Sequence, residues 1–515
     1  MNDKQHVSPA KKHAPDHLGR VLVLGLGKSG KAAVAYLLGE LGSRVESVTI
    51  AAGDRTPDAD ACAADYEAQG ARVLFDHRVI VEHYDVCIAS PGISQFSEFY
   101  ESAAKASDEI ISEVEFAWRE SAADSRWVAV TGTNGKTTTT ALITHILECA
   151  GENAAAVGNI GDTCLEAVMR GGTAIYVAET SSYQLASTDK FAPNVAVLLN
   201  ITPDHLKWHN TFENYHDAKL KVFANLASLN VARGDAVGTQ RLATAVLDAT
   251  DPSVREVVKR FKSQTPQDRG FSYIPLGAAA GLSANMHEVC GSEHAAYVRD
   301  GVLTIEFEGT SFSLLGIDEL QLKGMHNVSN ALAAASATFA LGVDARIIAE
   351  ALRSFAPLEH RIEPCGVIEG VSFFNDSKAT NVDATLQALN AFGDTKPIVL
   401  LGGDDKGTDL TELVETATRH CKAVVCFGAA GPRFSEAFAQ FKASHSSTDE
   451  RASLPVYSAP LLESALDEAL RHAISGDVIV LSPACASFDE FSSFEERGRI
   501  FKDLVTERST LRGAH

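Results

Sequence analysis

The chain has 515 residues, 45% hydrophobic and 22% charged, and its 67 Asp and Glu against 45 Lys and Arg leave a formal net charge of −22. That length predicts three or four domains, each able to bury its own core. The acidic balance excludes a general nucleic-acid or acidic-membrane binder, which needs a basic footprint, so anionic ligands must be held by local donors.

Nine cysteines are scattered without a C-x-x-C pair, the pattern of buried reduced thiols in a cytosolic protein rather than of a disulfide or zinc framework. Residues 1–20 are polar and basic, and no apolar run is long enough to span a bilayer. A cytoplasmic protein with no membrane partner is expected.

Val21-Leu22-Val23-Leu24 is a continuous apolar run of the buried parallel-strand type, followed by Gly25-Leu26-Gly27-Lys28-Ser29-Gly30 and a helical pattern from Ala32 to Leu41. A G-x-G-x-x-G turn in that setting predicts a Rossmann-like unit holding a nucleotide diphosphate on the helix N-terminus. NAD and other diphosphate nucleotides satisfy this geometry alike. The acid closing the next strand, Asp54, lies farther along than in dinucleotide-binding units. A later strand from Tyr84 to Ala89 ends in Ser90-Pro91-Gly92-Ile93, a rigid turn at the edge where open α/β sheets bind ligands. The first domain closes near residues 121–124.

Next comes the strand Trp127-Val128-Ala129-Val130, the turn Thr131-Gly132-Thr133-Asn134-Gly135-Lys136-Thr137-Thr138, and an apolar-periodic helix. Strand, Gly-rich loop and helix make a phosphate cradle. Lys136 is expected on the β- and γ-phosphates of ATP and the Thr137 hydroxyl on Mg²⁺. Val130 stands where the general G-x-x-x-x-G-K-[ST] pattern has Gly, so only the tighter G-x-x-G-K-T form is present.

The strand Ala174-Ile175-Tyr176-Val177-Ala178 ends at Glu179, a carboxylate positioned either to bind Mg²⁺ or to cap the following helix. Between them, Asn159 in Val157-Gly158-Asn159-Ile160-Gly161 is a candidate donor to an oxyanion. The strand Val195-Ala196-Val197-Leu198-Leu199 runs into Asn200-Ile201-Thr202-Pro203-Asp204-His205, where His205 is a metal-ligand candidate by its strand-end position. Lys219 follows on a helix. Residues 227–300 read as an antiparallel excursion with loops. A long Ala-rich helix then begins near Met325 and carries Asn330.

In the last third, three apolar strands end in polar clusters: Asn375-Asp376-Ser377-Lys378-Ala379-Thr380-Asn381, Gly402-Gly403-Asp404-Asp405-Lys406-Gly407, and Ser482-Pro483-Ala484-Cys485-Ala486-Ser487-Phe488-Asp489. Three such clusters at one sheet edge imply a substrate site.

Taken together, the Thr131–Thr137 loop, Glu179, Asp204-His205, Asn330, His360-Arg361 and the Asn375–Asn381 run resemble the ordered signature of the Mur ligases, ATP-dependent amino-acid adding enzymes of peptidoglycan synthesis. The resemblance covers nearly the whole chain. It implies three α/β domains: a Rossmann-like domain for the UDP end of a sugar-nucleotide over residues 1–125, a P-loop-type mononucleotide-binding domain over 126–358, and a Rossmann-like amino-acid-binding domain over 359–515. It implies ATP and Mg²⁺ as cofactors and, from the last three clusters with Phe494, addition of D-glutamate to UDP-N-acetylmuramoyl-L-alanine by a cytoplasmic monomer.

On that resemblance Lys136, His205 and Lys219 are catalytic. Gly132, Thr133, Asn134, Gly135, Thr137, Thr138, Asn330, Arg361 and Asp376 bind ATP, and Thr137, Glu179, His205 and a carbamylated Lys219 serve Mg²⁺. Gly27, Lys28, Ser29, Asp54, Arg55, Ser90, Gly92 and Asn159 hold the sugar-nucleotide, and Thr380, Lys406, Ser487 and Phe494 frame D-glutamate. One departure is Lys207, where the family usually has Asp. A two-nucleotide binding or regulatory protein that hydrolyses ATP slowly and adds no amino acid, and a nicotinamide oxidoreductase, are the alternatives from other classes.

Overall fold

The structure is a computed structural model that describes residues 10–231, 242–278, 290, 292–322, 324–356, 358–392, 395–405, 407–444 and 453–513. The chain divides into two compact units, one of Met1–Glu319 with Ser329–Ser354 and the other of Leu320–Val328 with Phe355–His515. It is an α/β protein with three largely parallel sheets, the fold class that the alternation of apolar runs and helical patterns predicts.

The first unit opens with β1 (Gly19–Leu24), β2 (Val45–Ala51), β3 (Arg72–Leu74), β4 (Tyr84–Ala89) and β5 (Ser107–Ser112), all parallel in the order β3-β2-β1-β4-β5. Alternate side chains of β1 enter different cores, Val21 and Val23 one, Leu22 and Leu24 another. The strand is apolar throughout because both its faces are covered. The strand order reverses around β1, which puts a ligand crevice beyond the carboxyl ends of β1 and β4.

The second sheet comprises β6 (Arg126–Thr131), β7 (Ala154–Gly158), β8 (Ile175–Glu179), β9 (Val195–Leu198), β10 (Thr244–Asp248), β11 (Ser272–Gly277), β12 (Ala295–Arg299), β13 (Val302–Phe307) and β14 (Thr310–Gly316), ordered β14-β13-β12-β11-β10-β9-β6-β8-β7. Here the expectation for residues 227–300 is corrected. β10, β11 and β12 extend the parallel sheet from β9, and among the described strands of this sheet β13 alone is reversed, antiparallel to both β12 and β14. The reason is visible in the residues. β10 is buried at every position, and the helix Pro252–Lys262 that follows buries Val254, Val257, Val258 and Phe261 at helical spacing, with Asp251 accepting from the Val254 N–H at 2.9 Å as its cap. Residues 232–241 and 279–289 of this stretch, like 445–452 farther on, lie outside the described residues.

The helix Glu113–Glu120 joins the two sheets and is buried along its whole length. Glu115 accepts from the Asp189 and Lys190 backbone N–H groups at 2.5 and 3.0 Å, and Glu113 Oε1 from the Leu165 N–H at 2.6 Å. Glu113 Oε2 is buried with no hydrogen-bond partner.

The second unit holds β15 (Glu363–Ile368), β16 (Val371–Asn375), β17 (Ile398–Gly402), β18 (Ala423–Phe427), β19 (Val456–Ser458) and β20 (Val478–Leu481) in the order β15-β16-β20-β17-β18-β19. All are parallel except β15, which forms a hairpin with β16. β16, β20 and β17 are neighbours, so their three polar ends share one edge. All nine cysteines are free and all but Cys62, Cys149 and Cys365 are buried. Among the described residues no helix is long and apolar enough to cross a membrane.

Burial pushes the Glu113 carboxyl up to about 7. An acid with a raised folded-state pKa binds more protons folded than unfolded. Its stabilising contribution is therefore fully present below the unfolded value near 4.5 and lost as pH rises through about 7. Glu113→Gln keeps the acceptor for Leu165 and removes this titration. The variant is expected to gain about 1–3 kcal/mol on the wild type between about pH 5 and about pH 8, read by denaturant melts. A pH-independent difference would exclude Glu113 as the source.

Candidate active site

The phosphate loop is fixed by the ends of its neighbouring strands. The Thr133 N–H donates to Asn200 O at 2.9 Å, the Asn134 N–H to Asn200 Oδ1 at 2.7 Å, and Asn200 Nδ2 to Asn134 O at 3.2 Å. On the other side Thr131 Oγ1 donates to Thr180 O and the Thr180 N–H to Val130 O, each at 2.9 Å. Gly135 caps the helix Lys136–Cys149 at φ +83°, where a Cβ would stand 2.4 Å from Asn330 Oδ1. Asn330 is buried on the helix Met325–Ala340 and accepts from Thr139 Oγ1 at 3.3 Å. Thr137 and Thr138 occupy the first turn, at the positive end of the helix dipole.

Two lysines meet there. Lys136 Nζ donates to Gly132 O at 2.9 Å and Thr133 O at 2.7 Å, and Lys219 Nζ donates to the same Gly132 O at 2.8 Å. Lys219 is 2% exposed, on the helix Phe212–Leu220, and its ammonium lies 4.7 Å from the Tyr215 ring. Burial first, then the charge of Lys136, drives its pKa well below the ordinary lysine value, while Asp204 and Glu179 oppose the shift. Tyr215 also reaches the loop, its hydroxyl 2.7 Å from Thr133 Oγ1.

Glu179 ends β8 at 2% exposure. It does not cap the next helix, Ser182–Ala186, whose cap is Ser181. Glu179 Oε1 accepts from Asn159 Nδ2 at 3.0 Å, and Oε2 has no hydrogen-bond partner. His205 takes the left-handed conformation at φ +56°, with Nε2 3.4 Å from Asp204 Oδ2 and its ring 4.9 Å from Tyr183.

A pocket of about 480 Å³ lies against this site within the first unit. Gly27, Lys28, Ser29, Ser90, Gly92 and Asn159 line it, together with Gly53 and His77, which the motif reading passed over. Lys28 Nζ donates to Gly161 O at 2.6 Å. Asp54 and Arg55 are outside the lining. Arg55 ion-pairs with Asp60 at 3.2 Å and lies over Phe75.

In the second unit Asp376 Oδ2 accepts from Ser482 Oγ at 2.7 Å, and burial pushes its carboxyl up to about 7. Lys378 Nζ lies 3.7 Å from the Phe494 ring centroid. The Lys378 N–H donates to His360 O and the Thr380 N–H to Lys378 O, which ties Thr380 to the His360-Arg361 turn. Buried Arg497, which carries no motif signal, donates to Ser377 Oγ and O, Cys485 O and Ala486 O at 2.9–3.0 Å. It holds the Asp376 loop to the Ser487 loop. The Asp404 N–H donates to Ala486 O at 2.9 Å, adding the third loop. Lys406 lies outside the described residues.

Residues 130–338 match the Mur ligase middle domain and residues 360–485 the Mur ligase, glutamate ligase domain. A UDP-N-acetylmuramoylalanine–D-glutamate ligase of Koribacter versatilis (strain Ellin345) is 34% identical over 94% of this chain and 97% of its own length. The chain belongs to the Mur ligase family. A relative of the same name from Thermoanaerobacter pseudethanolicus (strain ATCC 33223 / 39E) is 37% identical over 83% of this chain and 85% of its own. Among solved structures, a pseudomurein peptide ligase type C from Methanothermus fervidus aligns with a TM-score of 0.54 at 17% identity, over 95% of this chain and 99% of that one. The UDP-N-acetylmuramate-alanine ligase of Thermotoga maritima aligns over the same shares with a TM-score of 0.51 at 16% identity. These share the fold. Membership of a ligase family removes the oxidoreductase and regulatory-binder readings of the sequence.

Of the Mur ligase loop residues, Gly135 tolerates substitution least, since a side chain there meets both a left-handed φ and the Asn330 amide. Gly135→Ala is expected to weaken binding of a fluorescent ATP analogue by about a hundredfold, with a melting midpoint within a few degrees of wild type. Unchanged affinity would show that the loop relaxes around the methyl group.

Proposed function

We propose that this chain joins D-glutamate to UDP-N-acetylmuramoyl-L-alanine, with ATP as phosphoryl donor, through an acyl phosphate in cytoplasmic peptidoglycan precursor synthesis. Its curated relatives carry that ligase name. The observation that carries the mechanism is the convergence of Lys136 and Lys219 on Gly132 O, with the charge of Glu179 felt at Lys219. In this reading residues 1–125 hold the uridine end of the precursor, 126–358 the ATP, and 359–515 D-glutamate, in a monomer.

The chemistry asks for positioning and charge neutralisation more than for acid–base catalysis. A carboxylate oxygen of the alanyl group attacks the γ-phosphorus as the bond to ADP breaks. The Gly132–Thr138 loop cradles the phosphates, with backbone donors from Gly135–Thr138 at the helix start, and Lys136 offsets their charge. The amine of D-glutamate then attacks the acyl carbon, and phosphate leaves from the tetrahedral adduct with loss of a proton. Asn330 and Arg361 contact the adenine and phosphates of ATP and Asp376 the ribose, and Thr380, Lys406, Ser487 and Phe494 frame the amino acid. Gly27, Lys28, Ser29, Ser90, Gly92 and Asn159 hold the precursor.

The residues fit a divalent ion. Glu179 offers a buried oxygen with no other partner, and Thr137 a hydroxyl at the helix start, the hard oxygen donors that Mg²⁺ takes. His205 and Lys219 fit a second ion once Lys219 is a carbamate: the amine adds to carbon dioxide, an N–C bond forms, a proton leaves, and a carboxylate-type ligand replaces a cation. Bound Mg²⁺ supplies neutralisation of the transferring phosphoryl group.

The deciding assay is ADP release with UDP-N-acetylmuramoyl-L-alanine and, in turn, D-glutamate, L-glutamate, L-alanine and meso-diaminopimelate. Only D-glutamate is expected to raise turnover, and stimulation by another amino acid instead would reassign the substrate. Lys136→Ala is expected to lose at least about a thousandfold in kcat. Lys219→Ala should lose activity but recover part of it with added formate or acetate, and failure to recover would remove the carbamate.

A further inference from the structure

We propose that His77 is a binding residue of the sugar-nucleotide pocket, bounding its nucleoside end and setting its affinity for UDP. The inference rests on the ligase reading and adds a residue that no motif marks.

The pocket has a direction. Asn159 lines it and donates to Glu179 at 3.0 Å, so that wall faces the phosphate loop and the reacting carboxylate. The Gly25–Ser29 turn, with its helix N-terminus, takes the middle and suits the diphosphate. Gly53 and His77 follow β2 and β3, on the side of β1 away from β4, and form the remaining wall. A ligand with its diphosphate at the turn and its carboxylate toward Glu179 places its ribose and uracil there.

The His77 ring is held for such a role. It packs edge-on against Phe99, with centroids 5.2 Å apart and planes at 80°, and its Nδ1 lies 3.6 Å from Asp54 Oδ1. Its backbone is unusual. Asp76 and His77 are consecutive non-glycine residues at φ +65° and +48°, pinned by the Asp76 N–H donating to Gly53 O at 2.9 Å and the His77 N–H to Ala52 O at 3.2 Å. Such strain persists where surrounding structure imposes it, as around ligand sites. The ring also occupies space that only glycine leaves open, for a Cβ on Gly53 would stand 2.9 Å from its Cε1 and Nε2. The side chain is still about half exposed and available to a ligand. A planar ring with a nitrogen at its tip suits a base edge or a ribose hydroxyl.

The test uses the full-length protein and two variants. His77→Asn tolerates the left-handed backbone but removes the ring, and Gly53→Ala displaces the ring while leaving it intact. Each is expected to weaken UDP binding in titration calorimetry by about tenfold and to raise KM for UDP-N-acetylmuramoyl-L-alanine to match. KM for ATP and for D-glutamate, and kcat, should stay within about twofold. Wild-type affinity for UDP in His77→Asn overturns the proposal. So does a parallel loss in kcat and ATP affinity, the mark of a merely structural role. A wild type that binds UDP yet leaves D-glutamate unused overturns the ligase reading, and the UDP titration of the variants still decides His77.

Discussion

Two lysine side chains share the one carbonyl of Gly132, and much of the first unit serves to make that arrangement tolerable. Like charges within two hydrogen-bond lengths repel by about 3 kcal/mol even at an effective dielectric near 20. Burial of Lys219 adds a desolvation penalty to its charged form, and Asp204 and Glu179 return only part of it. The pair therefore makes this spot favourable for negative charge. A chain with a net charge of −22 binds anions by this local means.

The pair depends in turn on the strand edges. Gly132 sits at φ +154°, a conformation that glycine adopts readily, with Leu199 Cβ 3.0 Å from where its own Cβ would lie. Asn200, directly beyond β9, pairs with the main chain of both Thr133 and Asn134. Thr180, beyond β8, pairs with Val130 and Thr131. The loop is thus a seam between three parallel strands, and a shift of either flanking strand would move the carbonyl that both lysines address. Asn159 extends the seam through Glu179 to the pocket beside the Gly25–Ser29 turn.

What could be read in the sequence follows from the range of each interaction. Apolar runs ending in Gly-rich or polar clusters are local signals. They located β1, β6, β8, β9, β16, β17 and β20, and β16, β20 and β17 do lie side by side. β10 and β11 were misjudged because their strands are short and embedded in polar text, while their parallel pairing is decided by neighbours far off in the chain. Asn200, Tyr215 and His77 act by reaching loops many residues away, so spacing carried no trace of them. Asp54 and Arg55 lie just past β2 outside the pocket lining, where Arg55 turns to Asp60 and Phe75 while Gly53 and His77 line the space beside the turn.

Arg497 shows how the second unit solves a different problem. Its guanidinium is fully buried, and its hydrogen bonds run to three carbonyls and a hydroxyl rather than to a carboxylate. Burial brings its pKa down to about 10, so it stays charged at neutral pH, with Asp489, Asp376 and Glu490 as more distant counter-charges. A buried charge paired in this way contributes little to net stability, since desolvation offsets what the hydrogen bonds return. Its rigid fork instead fixes geometry, because the same planar group must satisfy Ser377, Cys485 and Ala486 at once. A lysine would offer the charge without the fork. Those loops carry Asp376 and Ser487, so the relative placement of these two residues is set by one buried side chain.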